Sequence, residues 1–319
     1  MLALAQISSW HWIGFLAFVL FFVAMDLGVF HRHAHVVRFR EALSWTVAWF
    51  LLAMVFALFI RKSIGHEESV EFTTGYILEL SLSMDNVLVI ALIFPYFRVP
   101  LVFQHRILFW GILGALVMRG AIIAMGAALI HRFQWILLVF GAFLVLSAIK
   151  MIFSNDDGAH PEKNLILKVI RKFFPVSEDF DGEKFLTQHK GRTALTPLAL
   201  VLIMVETTDL IFAVDSIPAI FAVTENAYVV FTSNMFAILG LRSLYFVLAG
   251  AIGYFRYLKL GLSIVLMFIG GKMLVHKQWS ISPTVSLYIV ASIIGLSVLV
   301  SLIAAVITRR KAESNKDDD

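Results

Sequence analysis

The sequence contains no cysteine. That removes disulfides, thiolate metal sites, iron–sulfur clusters and cysteine nucleophiles together, and it leaves the redox character of the compartment unreadable from thiols. Charge is scarce as well. Asp, Glu, Lys and Arg make up 15% of the 319 residues and hydrophobic residues 60%, whereas soluble domains hold roughly 45–50% apolar and about 25% charged residues. A soluble globular protein is thereby excluded. Mean hydropathy is +0.87, and apolar stretches recur from end to end, each long enough at about 20 residues to cross a hydrocarbon core roughly 30 Å thick. The chain reads as an all-α, polytopic membrane helix bundle whose solvent is the lipid bilayer. No nucleic-acid partner follows from the pI of 9.3, because in a membrane protein the placement of Lys and Arg along the loops matters more than their sum. No phosphate-binding ATPase loop is present, which argues against a primary pump.

Nine spans are expected, over residues 10–30, 43–60, 73–94, 107–130, 134–153, 195–222, 227–250, 257–276 and 284–308. The N-terminus has no Lys or Arg before Trp10, whereas Arg32, Arg38 and Arg40 follow the first span. The first loop is therefore expected in the cytoplasm, the N-terminus outside and the C-terminus inside. Carried forward, this alternation puts 18 Lys and Arg on the cytoplasmic side against four outside, Arg61, Lys62, Arg132 and Lys277. A cleaved leader is not expected, because no basic segment precedes the first apolar stretch. Ser154 to Ala194 is the longest polar segment and is too short for a catalytic domain with its own core. The chain is not expected to be an enzyme. Within this segment Ile166, Val169, Ile170 and Phe173 are spaced for one helix face, with Lys163, Lys168, Arg171 and Lys172 elsewhere. That pattern suits an interfacial helix and equally a solvated charge run.

Self-comparison reveals an internal repeat. Glu79-Leu-Ser-Leu-Ser-Met-Asp85-Asn86 aligns with Asp209-Leu-Ile-Phe-Ala-Val-Asp215-Ser216, acid and acid six apart with an amide or hydroxyl next. Spans four and seven each carry one arginine deep in apolar sequence, Arg119 and Arg242. Spans five and eight open at Phe133-Gln-Trp135 and Phe255-Arg-Tyr257 and close at Lys150-Met151 and Lys272-Met273 with the same spacing. Three spans per copy force the second copy to enter from the opposite side, giving a 3+3 inverted repeat of the kind found in transporters. The expected organisation is peripheral helices in 1–72, a first repeat in 73–153, a linker in 154–194, a second repeat in 195–276, and a last span with its tail in 277–319.

Six carboxylates fall within spans, Asp26, Glu79, Asp85, Glu206, Asp209 and Asp215, opposed only by Arg119 and Arg242. A charge at a helix centre costs roughly 2.5–3.5 kcal/mol on insertion scales, so these groups must face one another or water. Fully ionised, the set carries a net −4, relieved by protonation or bound cations, which points to cation transport. At about 100° per residue Glu79 and Asn86 share a face while Asp85 lies about 120° away. Asp209 and Ser216 likewise share a face, with Glu206 and Asp215 on opposite sides of a regular helix. Pro218 is expected to kink or unwind the sixth span beside Asp215. Oxygen ligands suit hard divalent ions such as Mg²⁺, Ca²⁺ and Mn²⁺. Met84 and Met204 are a softer ligand pair or simple packing. A structural reading stands beside the functional one, with each acid pairing to an arginine or hydroxyl to hold the bundle together. Asp26 is near a span end and in reach of Arg32. His31, His33 and His35 are interfacial anchors or a metal-capturing cluster, and Lys150 and Lys272 are expected to snorkel to the two surfaces. An intramembrane aspartyl protease is disfavoured by the lack of a Gly-x-Gly-Asp motif.

The segments Glu79-Leu-Ser-Leu-Ser-Met-Asp85-Asn86-Val87 and Glu206-Thr-Thr-Asp209-Leu-Ile-Phe-Ala-Val-Asp215-Ser-Ile-Pro218-Ala-Ile-Phe-Ala222 resemble the two signature motifs of the TerC family. Met25-Asp26-Leu-Gly-Val-Phe, Thr232-Ser-Asn-Met-Phe-Ala-Ile-Leu-Gly-Leu-Arg242 and Gly182-Glu-Lys-Phe are similar to its Alx-type members. The resemblance implies a bacterial inner-membrane protein related to the LysE transporter superfamily, Mn²⁺ export, tellurium resistance and an alkaline-pH response. It implies metal ligands among Glu79, Asp85, Asn86, Glu206, Asp209 and Asp215, with Asp26 as an extra, and no resident cofactor. Protons are the expected coupling partner. A redox role, which older naming of the family suggests, finds no cysteine and no dinucleotide or haem motif here.

Overall fold

The computed structural model describes residues 7–30, 39–153, 170, 172–177, 179–189, 192–249, 257–275 and 281–317, apart from the side chains of 26–30, 189, 192, 249, 305, 306 and 308–317. Among these are nine helices: α1 Ser9–Phe30, α2 Phe39–Ser63, α3 His66–Tyr96, α4 Leu101–Arg132, α5 Ile136–Phe153, α6 Pro197–Phe221, α7 Ala227–Ala249, α8 Leu258–Val275 and α9 Pro283–Asp317. Each expected span has its helix. Eight of them, α2 to α9, are long and apolar enough to cross a membrane, and α1 contributes a shorter apolar stretch, Ser9–Met25. In lipid every backbone group must be bonded within the segment, so long unbroken helices are the form these runs can take.

Burial sorts the helices into layers. The apolar window of α7 is 83% buried and those of α3 and α8 56%, against 17% for α2 and 11% for α9, and α3 packs along α7. α3 and α7 therefore form the centre, and α2 and α9 turn most of their surface outward. α3 packs on α7, α4 on α6, and α5 on α8. The last pair approaches closely because small residues meet: a Cβ on Gly270 would lie 2.8 Å from the Gly141 carbonyl, and one on Gly141 3.0 Å from the Gly270 carbonyl. Such crossings replace the hydrophobic drive that lipid cannot supply. α1 and α2 join the centre through an aromatic cluster including Phe15, Phe56, Phe72 and Phe236, with the Phe56 and Phe236 rings 4.9 Å apart.

Two expectations need correction. α6 runs unbroken to Phe221, so Pro218 does not unwind it. In the last turn the proline deprives only the Val214 carbonyl of its helical donor, a loss the helix end tolerates. Lys272 does not snorkel to a surface either. It is buried at 8% exposure and donates from Nζ to Ser286 Oγ of α9 at 3.0 Å.

The segment between α5 and α6 contains an antiparallel hairpin, β1 Leu186–His189 with β2 Arg192–Leu195, which the hydrophobic pattern alone does not announce. Its inner residues Val176, Phe180, Phe185 and Leu195 pack against the apolar cluster of α3, α4, α6 and α7, and Arg106 of α4 donates to Glu183 at 2.7 Å. Thr187 Oγ1 at 2.8 Å and Lys184 hold the exposed Asp181 carboxyl below the usual carboxylate range. Thr196 caps α6 while donating to the Lys184 carbonyl at 2.7 Å, and Pro197 follows at the first helical position, where its missing N–H costs nothing. Most of the expected interfacial helix, 154–169 and Arg171, and the His31, His33 and His35 cluster lie outside the described residues. Ile170 packs on the bundle, and Phe173 is exposed.

Candidate cation site

The amphipathic arithmetic of α3 and α6 determines which acids meet. Glu79, Ser83 and Asn86 lie at i, i+4 and i+7, on one stripe of α3, and all three are buried. Asp209 and Ser216, seven apart, make the matching stripe of α6. Between the stripes reaches Arg119 of α4, 1% exposed, facing a Glu79 that is wholly buried.

Arg119 organises the group. Its Nη1 donates to Glu79 Oε1, its Nη2 donates to Asp209 Oδ1 at 2.7 Å and its Nε to Asp209 Oδ2 at 3.0 Å, a bidentate fork. Nη1 also lies 3.5 Å from Ser216 Oγ. Asn86 Nδ2 donates to the same Asp209 Oδ1 at 3.1 Å. The planar guanidinium thus bridges the two aligned acids, one from each half of the chain. Charge-assisted bonds of this geometry are among the strong ones, and in hydrocarbon surroundings removing one partner would strand the others.

The group is not saturated. Glu79 Oε2, Ser83 Oγ, Asn86 Oδ1 and Glu206 Oε2 are buried without a hydrogen-bond partner. Buried oxygens in this condition are the ones that a water or a cation satisfies. Glu206 enters from a neighbouring face of α6, its carboxylate against Gly114 of α4, where a Cβ would overlap it. A cavity of about 30 Å³ borders Asn86, Thr208, Asp209, Ala115 and Arg242, room for a water or an ion rather than an organic substrate.

The remaining expected ligands stand apart. Asp215 accepts from Ser147 Oγ of α5 at 2.9 Å, on the other side of α6. Asp85, half-buried, is not among the groups bonded around Arg119. Asp26 is on α1, and its side chain is outside the described residues. Among the described residues no group of three or more His, Cys, Asp or Glu side chains is assembled to hold a metal. Arg119 occupies the position between the acids. Met84 and Met204 pack in one apolar cluster.

Arg242, aligned with Arg119 in sequence, has a different neighbour: its Nη2 is 3.0 Å from Nε2 of His105. The sequence reading missed His105, Ser147 and the room that Gly114 provides. His105 was lost because hydropathy starts span four at residue 107 while the helix starts at Leu101. An ionisable side chain one turn before an apolar run was the available signal.

These features define a polytopic helical membrane protein with a buried, charged group at its centre. The chain belongs to the TerC family of integral membrane proteins, whose signature covers residues 64–313. It is 48% identical over 292 residues to membrane protein STKORF319 of Myxococcus xanthus, covering 92% of each chain. It is 40% identical over 299 residues to Alx of Escherichia coli (strain K12), whose name proposes a membrane-bound redox modulator, covering 91% of this chain and 93% of that one. A Rickettsia bellii membrane protein is 35% identical over 300 residues, covering 94% and 99%. No solved structure matches the chain.

Proposed function

We propose that this TerC family protein is a secondary transporter for a hard divalent cation, with Mn²⁺ the cation and export from the bacterial cytoplasm across the inner membrane the direction, as the family resemblance implies. The carrying observation is the Arg119 guanidinium held between Glu79 and Asp209. A protein-borne cation sits where an exchanged one would bind. With Glu79, Glu206 and Asp209 ionised against Arg119, the group carries a net −2, the charge that one divalent ion neutralises. Its oxygens without partners belong to Glu79, Asn86, Glu206 and Ser83, a hard donor set. Cation and Arg119 then compete for the same carboxylates, and protons are natural counter-passengers.

The packing supports an inverted repeat of 73–153 and 195–276. The pairs α3 with α7 and α4 with α6 exchange under a twofold axis relating the halves, and α5 with α8 maps onto itself. Transporters with inverted repeats place their sites at the repeat interface near the midplane, where Glu79 and Asp209 meet. The redox role in the name of Alx has no thiol to act through in this chain.

Purified protein in liposomes tests this reading. Wild type should carry Mn²⁺ in response to a pH gradient, and Asp209→Asn, which removes a carboxylate from the Arg119 group, should abolish flux while still inserting. Wild-type flux in the Asp209 variant would overturn the site assignment. A membrane scaffold involved in tellurium resistance or stress is the second reading, favoured by the fact that Glu79 and Asp209 pair with Arg119 and Asp215 with Ser147. Absence of flux from a folded, reconstituted wild type selects it.

A further inference from the structure

Two cavities approach the candidate site from the same end of the bundle. The inner one, about 30 Å³, reaches Asn86 and Asp209. The outer one, about 70 Å³, lies between α1, α2, α4 and α7 and carries Glu41, Trp45, Trp49 and Ser243 on its walls. Both cavities are lined by Ile112 and Arg242. On α4 their linings span Leu108 to Ala115, one turn short of Arg119. On α3 the inner cavity ends at Asn86 and Ile90, and Glu79 lies two turns further on. Glu41 is in the first turn of α2, next to Arg40. The outer cavity therefore belongs to the end of the bundle that also bears Arg98, Arg106 and the β1–β2 hairpin.

We infer that the outer cavity is the cation's entrance, with Glu41 as its collecting carboxylate, and that Arg242, held to α4 through His105, is the barrier between it and the carboxylate group. This rests on the transport reading above. The chemistry of the walls supports the division. A carboxylate among aromatic side chains raises the local concentration of a divalent cation, and the low-polarity walls keep its field from being screened. An arginine at the next constriction repels metal ions and protons alike. Passage thus requires Arg242 to leave, and while it stays the carboxylates do not leak. Arg242 acts as a positioning residue for the pathway and is not a ligand. Its Nη2 contact with His105 Nε2 at 3.0 Å supplies the anchor on α4 from which it has to be released.

The natural absence of cysteine makes a direct test straightforward. Ser243→Cys places a thiol in the outer cavity, Ala115→Cys one in the inner cavity, and Leu144→Cys one in the packed interior of α5 as a control for loosening. In sealed vesicles of known orientation the Ser243 variant is reacted with charged methanethiosulfonates, and the Ala115 and Leu144 variants with Ag⁺, a monatomic thiol-reactive cation that the inner cavity of about 30 Å³ can admit. The Ser243 variant should react only from the side bearing the β1–β2 hairpin, and its Mn²⁺ flux should fall on modification. The Ala115 variant should react slowly, and adding Arg242→Gln should speed its reaction with Ag⁺ about tenfold, the factor expected from removing one nearby charge. Arg242→Lys should leave the rate low, and the Leu144 variant should stay unreactive throughout. Reaction of the Ser243 variant from the opposite side, flux indifferent to its modification, or an Ala115 rate unmoved by Arg242→Gln would each overturn the entrance while leaving transport standing. Absence of Mn²⁺ flux in the unmodified protein overturns the transport reading itself, and the entrance falls with it.

Discussion

At Arg119 a single side chain holds two carboxylates out of lipid. Its five N–H donors suit a fork on Asp209 plus a bond to Glu79, which the three donors of a lysine cannot reproduce. Arg119→Met should destabilise the protein by on the order of 3 kcal/mol, because Glu79 and Asp209 lose their counter-charge. Glu79→Gln combined with Arg119→Met should recover part of that loss, and thermal unfolding in detergent of the single and double variants measures it. Equal losses in both would show that the charges are not coupled. At Gly114 the argument is steric. Gly114→Ala pushes on the Glu206 carboxylate, so Mn²⁺ affinity should fall about tenfold, as when groups supporting a ligand are disturbed, with thermal stability little changed. Isothermal titration checks it, and unchanged affinity would remove Glu206 from the ligand set.

The elements were legible in the sequence to different degrees. Apolar runs placed the nine long helices of the described residues, because lipid leaves a polytopic chain no other way to bond its backbone. The helix period placed Glu79 with Asn86, and Asp209 with Ser216, and these four are the residues gathered at Arg119. The hairpin was not legible, since Leu186–His189 and Arg192–Leu195 are four residues each and owe their order to packing under the bundle. Nor was the continuity of α6 past Pro218, which depends on how near the helix end the proline falls. At this scale the α5 and α8 crossing carries a prediction: Gly270→Val forces apart backbones in contact at Gly141. It should cost about 1–3 kcal/mol, read as lower yield and melting temperature of the purified protein. Full stability would mean that the two helices are not held at this crossing.

For the whole molecule, the charge bias makes a claim about sidedness that burial does not. Eighteen basic residues against four predict that reporter fusions at the two termini face opposite sides, with the C-terminus in the cytoplasm. Fusions reporting the same side would make the number of spans even, for instance by leaving α1 short of crossing, while the three spans of each repeat would still invert the second copy. The packing of α3 on α7 and of α4 on α6 joins the halves so that the acids of both face one arginine.

The sequence by itself determined the class of molecule, the number of long apolar helices among the described residues and the stripe on which each acid lies, because hydrophobic length and the helix period are local properties. Partnership was decided by tertiary structure alone. Nothing local distinguishes Arg119 from Arg242, or the pair Glu79 and Asp209 from Asp85 and Asp215. The rotation and crossing of five packed helices bring Arg119 to the first pair, set Arg242 beside His105 and leave Asp215 to Ser147. A buried charge finds its counter-charge only through the geometry of the helices that carry both.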